Sequence, residues 1–136
     1  MITTTQNRVV ARFLDGRVLK GTVSDFNPTR PTFHLLPSGS ESSSVVEIRV
    51  ADLKAVFFVK DLAGNPRYEE RREFDPSRAA PGRKLRVVFR DGEVLVGVTQ
   101  GYDRTRPGFF LVPADPASNN ERCFVVSTAV GEVAFL

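Results

Sequence analysis

Slid along itself, this chain repeats, and no other feature narrows its possible folds so much. Residues 8–37 align with residues 84–113 without a gap. Phe13, Asp15 and Gly16 fall on Phe89, Asp91 and Gly92, and Val18, Leu19 and Gly21 fall on Val94, Leu95 and Gly97. Thr29, Arg30 and Pro31 meet Thr105, Arg106 and Pro107, while Phe33, Leu35 and Pro37 meet Phe109, Leu111 and Pro113. One extra residue in the next loop shifts the frame. Beyond it Val46, Ile48, Leu53, Val56 and Phe58 meet Cys123, Val125, Val130, Val133 and Phe135. A segment duplicated with its turn residues in place should fold the same way twice, so the chain reads as two copies of one small unit.

Each copy reads as strands. Val9, Ala11 and Phe13 alternate with Val10, Arg12 and Leu14, which is the two-residue period of a strand. Asp15-Gly16 separates that run from residues 18–23, and Asp-Gly readily supplies the positive φ of a tight hairpin. Gly21 and Gly97 stand inside the second strand, where a missing side chain permits a sharp bend. A turn at Pro28 or Pro31 leads to a third strand over 32–36, and residues 45–50 form a fourth. A helical turn at Asp52 and Leu53 precedes a fifth strand over 55–59.

Five short strands, the second bent and the last preceded by one helical turn, describe a small, partly open barrel. Through Asp15-Gly16 with Gly21, and Asp91-Gly92 with Gly97, the pattern resembles the SH3-like barrels and, within them, the Sm-like proteins. The whole chain also resembles an uncharacterised bacterial family of tandem small β-barrel modules. Phrases such as Asp25-Phe26-Asn27-Pro28 and Ser118-Asn119-Asn120-Glu121-Arg122 carry that likeness. The expected architecture is all-β: two tandem five-stranded SH3-like or Sm-like barrels packed together. Residues 1–60 form the first module, 61–83 a charged linker laid as a strap over one barrel, and 84–136 the second module. Within the strap, Glu69, Glu70, Arg71 and Arg72 read as a helical turn confined by Pro66 and Pro76, their charges facing water.

Composition removes several classes of function. With 41% hydrophobic and 26% charged residues the chain can bury a core. The formal charge is +3, and acids stand among the bases nearly everywhere, so attraction to a phosphate backbone is modest. Its single cysteine, Cys123, excludes an internal disulfide and a multi-cysteine zinc site. The glycines are scattered at turns and make no phosphate cradle, so neither cofactor nor metal is expected. No apolar stretch has the length of a membrane span, and the polar first residues lack a secretory signal. A cytoplasmic location is expected.

A module of roughly 50 residues lies near the lower limit of independent stability, so two of them should lean on each other. The outer face of strands three and four shows where. In the first copy it carries His34, Leu36, Glu47 and Arg49; in the second it carries Phe110, Val112, Phe124 and Val126. An outer face that is wholly apolar needs a cover, taken here to be the other half of a monomer in preference to a homodimer partner.

No catalytic constellation emerges. His34 aligns with Phe110, and Cys123 aligns with the inward-facing Val46, so the two read as a half-exposed strand residue and a core residue. Asp15 and Asp91 sit in hairpins, where Asp accepts backbone hydrogen bonds. The repeated Thr-Arg-Pro remains. Arg30 and Arg106 could grip a carboxylate or phosphate, and Phe26 and Tyr102 occupy matching loop positions near them. The expected function is a non-catalytic binding or adaptor protein whose partner is a protein segment at a strand edge or in a groove between modules. The alternative is a weak binder of single-stranded RNA or nucleotide, using Phe26 and Tyr102 to stack and Arg30 and Arg106 to meet phosphate.

Overall fold

The computed structural model describes residues 7–39, 44–65, 67–68, 70–72, 74 and 82–136. Pro66, Glu69 and Pro76 of the expected strap turn lie outside the described residues. In chain order the strands are β1 Asn7–Phe13, β2 Val18–Val23, β3 Thr32–Pro37, β4 Val46–Arg49 and β5 Leu53–Val59, then β6 Arg83–Phe89, β7 Val94–Thr99, β8 Gly108–Pro113, β9 Asn120–Val126 and β10 Val130–Phe135. A single 3₁₀ turn precedes the last strand of each half, at Val50–Asp52 and at Ser127–Ala129.

The protein is all-β. Its strands lie in one antiparallel sheet of ten, ordered β10-β6-β7-β8-β9-β5-β1-β2-β3-β4. Among the described residues no ladder joins β4 to β5 or β9 to β10, so the ten strands form one open sheet and the two expected barrels do not close. Residues that align in sequence occupy matching places in the ladders. Val9 pairs with Gly21 and Leu85 with Gly97; Phe33 pairs with Ile48 and Phe109 with Val125. Both hairpins turn through a glycine of positive φ, Gly16 at 93° and Gly92 at 92°.

The glycines inside β2 and β7 are there because neighbouring backbone comes too close for a side chain. A Cβ on Gly21 would lie 2.2 Å from the Leu36 carbonyl oxygen, and one on Gly97 would lie 2.1 Å from that of Val112. No real side chain tolerates such a contact, so each second strand can press against its third.

What joins the halves is the ladder between β5 and β9, in which Val56 faces Phe124 and Phe57 faces Cys123. A strand at the middle of a sheet packed on both faces loses its polar alternation. Leu53–Val59 is buried at every position. Its successive side chains feed two different cores. Val56 and Phe58 join Val9, Phe33, Leu35 and Ile48, together with Phe124 and Val126 from β9. Ala55, Phe57 and Val59 join Leu85, Val87, Leu111, Cys123 and Val125 of the second half, as does Val10 of β1. Each half thus completes the core of the other.

Candidate functional site

The two Thr-Arg-Pro loops are built alike. Asn27 Oδ1 accepts hydrogen bonds from the Thr29 backbone N–H at 2.9 Å and its hydroxyl at 2.7 Å. Asp103 Oδ1 does the same for Thr105, at 2.9 and 2.6 Å, and those bonds hold its carboxyl below the usual range. The Pro31 and Pro107 carbonyls then accept from Val50 and Ser127, hooking each loop to its 3₁₀ turn. The backbone of Thr-Arg-Pro therefore closes a turn, while the arginine side chains stay exposed. Arg106 comes no closer than 3.9 Å to Asp103.

The rings on those loops point elsewhere. Phe26 makes edge-on contacts with Phe33, Phe58, Phe110 and Phe124, with centroids 5.1 to 6.1 Å away. Tyr102 packs edge-on against Phe109 at 5.0 Å and Phe135 at 5.6 Å. Both rings lid a core, and their arginines do not share the contact.

The apolar outer face of β8 and β9 divides. Phe124 and Val126 are buried in the first half's core and Phe110 packs half-buried against it, whereas Val112 is 47% exposed. Arg122 caps this junction, its guanidinium 4.4 Å from the Phe58 ring centroid and 4.9 Å from that of Phe110. Among the described residues the two end strands, β4 and β10, have no outer partner, and apolar side chains gather there. Val45 and Val46 are exposed at β4, and Phe135 and Leu136 at β10. The guanidinium of Arg83 lies 4.0 Å over the Phe135 ring.

A third surface was not foreseen from the loops. The segment after β5 is tied to the loop between β8 and β9. Asp115 is buried; its Oδ2 accepts from the Tyr68 hydroxyl and, at 2.9 Å, from the Arg71 backbone N–H. Burial pushes the Asp115 carboxyl up, but these bonds outweigh it and hold the group below its ordinary value. Ser118 donates to Glu70, and Asn119 exchanges hydrogen bonds with the Asp61 backbone at 3.0 and 2.8 Å. So anchored, the described strap residues from Leu62 to Phe74 border a cleft of about 1300 Å³ beside the outer face of β1 and β2. Val10, Phe57 and Val59 supply apolar wall, and Arg12, Lys20, Arg71 and Arg72 supply charge. Two-residue alternation puts Val10 and Arg12 on the same outward face of β1.

His34 and Cys123 stand apart. His34 Nδ1 lies 2.7 Å from Asp25 Oδ2 on the exposed side of β3, and that hydrogen bond raises the imidazole pKa above its ordinary 6.5. Cys123 is buried in the second core, and burial pushes its thiol far up, so no thiolate is available there. Among the described residues no three of His, Cys, Asp and Glu gather as metal ligands, and no helix is long and apolar enough to cross a membrane. Comparisons with curated proteins and with solved structures return no match. A family model does match, over residues 5–136, and the chain therefore belongs to the family of unknown function DUF6982.

Proposed function

We propose that this protein is a non-catalytic binding or adaptor protein of the bacterial cytoplasm, built from a duplicated SH3-like module. The strand order supports the module: each half runs fifth, first, second, third, fourth, with a 3₁₀ turn before the fifth. The observation that carries the binding role is the open edge of β10. There Phe135 is 44% exposed and Leu136 63%, and Val133 is only partly covered. At the aligned position in the first half, Phe58 is 3% exposed because β9 lies alongside it. An extended segment of a partner protein added beside β10 would supply the missing strand, its backbone hydrogen bonds giving affinity and its alternate side chains covering Phe135. Binding of RNA through the loops is less well supported, since Phe26 would have to leave four ring neighbours to stack on a base.

The test is site-specific photo-crosslinking in cells with the full chain. A photoreactive residue at Glu132 or Phe135 should capture one and the same protein, and a control at Arg30 should not. Phe135→Asp, with the probe at Glu132, should abolish the adduct. No adduct from β10, or the same adducts from the control, would defeat the proposal.

A further inference from the structure

Four cationic side chains line the cleft under the strap, and two acids, Glu70 and Glu93, stand with them. Both acids are engaged. Glu70 accepts the Ser118 hydroxyl, and Glu93 pairs with Lys54, which it shares with Asp91, so the four cations of the lining still outnumber its two acids. Among the described residues Arg12, Lys20 and Arg72 take part in no ion pair, and Arg71 meets only the longer-range attraction of the Asp115 carboxylate. Lys20 donates to the Leu62 carbonyl at 3.0 Å, and the Arg12 guanidinium lies 5.4 Å from the centroid of the Phe57 ring. A guanidinium on an aromatic face still has its donor edge free, and that edge fits a phosphate through two parallel hydrogen bonds.

The remaining wall is mixed, with Val10, Phe57, Val59 and Leu62 beside Asn65, Tyr68, Asn119 and Asn120. A site that offers unpaired guanidinium groups next to apolar and aromatic surface, at the junction of two packed halves, has the make-up of a small-molecule pocket. Its volume of about 1300 Å³ admits more than an inorganic anion. We propose that this cleft binds a nucleotide, its phosphates held by Arg71 and Arg72 of the strap with Arg12 and Lys20 of the sheet, and its base resting on the apolar part of the wall. This site is independent of the β10 edge.

Calorimetric titration of the full chain with ATP, GTP and UTP at low salt tests it, with adenosine and inorganic pyrophosphate as partial ligands. At least one nucleotide should bind; adenosine should not, and pyrophosphate should bind at least tenfold more weakly than the nucleotide. Raising the salt severalfold should weaken the nucleotide, because the contacts are ionic. The double variant Arg71→Ala with Arg72→Ala should lose at least tenfold in affinity, as should Arg12→Gln on the opposite wall. Arg30→Ala with Arg106→Ala should bind like the parent. The unfolding midpoint of each variant checks that the fold survives. No heat with any of the three nucleotides overturns the proposal. So does equal binding of pyrophosphate, unaltered affinity in both cleft variants, or a loss in the Arg30 and Arg106 variant.

Discussion

The outer faces of β3–β4 and β8–β9 carry aligned residues of opposite character. His34 pairs with Glu47 across the first ladder, and at the matching place Phe110 pairs with Phe124. The first pair is exposed; of the second, Phe124 is 1% exposed. The reason is position in the sheet. β4 is an end strand, whereas β9 has β5 beside it, so its outer face rests on the first half's core. Gly108 follows the same logic. It stands where the first half has Thr32, and a Cβ there would lie 2.4 Å from the Val125 carbonyl oxygen and 2.6 Å from the Phe124 ring. Divergence between the halves therefore traces the surface where they meet, while identity traces the turns and inner packing that each needs.

Exchanging the two faces is the sharpest way to break that comparison. Phe124→Ala removes a ring packed against Phe26 at 5.1 Å and Phe110 at 5.2 Å, and should cost about 3–5 kcal/mol. Phe124→Glu, which imports the residue of the first half, should cost more, since a carboxylate would be buried without a partner. The reverse exchange, Glu47→Phe, alters an exposed end strand and should stay within about 0.5 kcal/mol. Urea unfolding measures all three. Equal losses for Phe124→Glu and Glu47→Phe would mean that the two faces are not differently covered.

The hairpins offer a second, smaller contrast. In the first half Asp15 accepts from the Arg17 backbone N–H at 3.0 Å and pairs with the Arg17 guanidinium at 2.8 Å, all in solvent. In the second, Asp91 and Glu93 both reach Lys54 of the other half, Asp91 at 2.7 Å. Lys54 is largely buried over the Phe89 ring. Burial pulls its pKa down, yet the two carboxylates outweigh that and raise it, while Lys54 in turn lowers Asp91. Lys54→Met keeps the stem and removes the charge. It should destabilise by about 1–2 kcal/mol, less than a fully buried pair would, because Asp91 and Glu93 can turn back to water. Arg17→Met, in the exposed hairpin, should leave the unfolding midpoint unchanged. A double-mutant cycle of Lys54 with Glu93 separates the pair from the packing of the stem.

Local chemistry made much of this legible in the sequence. Asp15-Gly16 and Asp91-Gly92 turn because only their own φ and hydrogen bonds matter, and Gly21 and Gly97 mark close approach by lacking a Cβ. The ladder between β5 and β9 was harder to see. It joins edges far apart in the chain, and its one sequence signal is the run Leu53–Val59, apolar on both faces apart from Lys54. The repeated Thr-Arg-Pro drew attention to Arg30 and Arg106, yet what repeats is a backbone turn held by Asn27 and Asp103. The cleft depends on where the strap lies, which the buried Asp115 and Ser118 settle from another loop. No spacing rule links Arg12 to Arg71 before that contact exists.

The smallest expected effect belongs to the exposed face that replaces Phe110 and Phe124. Asp25 takes the His34 backbone N–H at 2.9 Å on one oxygen and the ring on the other, and Glu47 lies 3.7 Å from Nε2. For Asp25, burial acts upward but the bonds from His34 prevail and lower its pKa. For His34 the Asp25 bond raises the pKa above 6.5, so the charged ring contributes stability that is fully present below pH 6.5. That contribution is lost as pH rises through the higher, folded value. The lowered Asp25 works in the opposite sense: its contribution is present above its ordinary 3.8 and lost as pH falls through the folded value. The pair should therefore hold the β3–β4 face most firmly between those limits. An NMR titration of the His34 ring should give a midpoint above 6.5 that drops toward it in Asp25→Asn. The Phe124 environment, followed in the same spectra, should stay put, since Phe124 meets the His34 pair only through the Phe26 ring that follows Asp25. A midpoint at or below 6.5, or a Phe124 signal that follows His34, would show the faces to be coupled or the pair unformed.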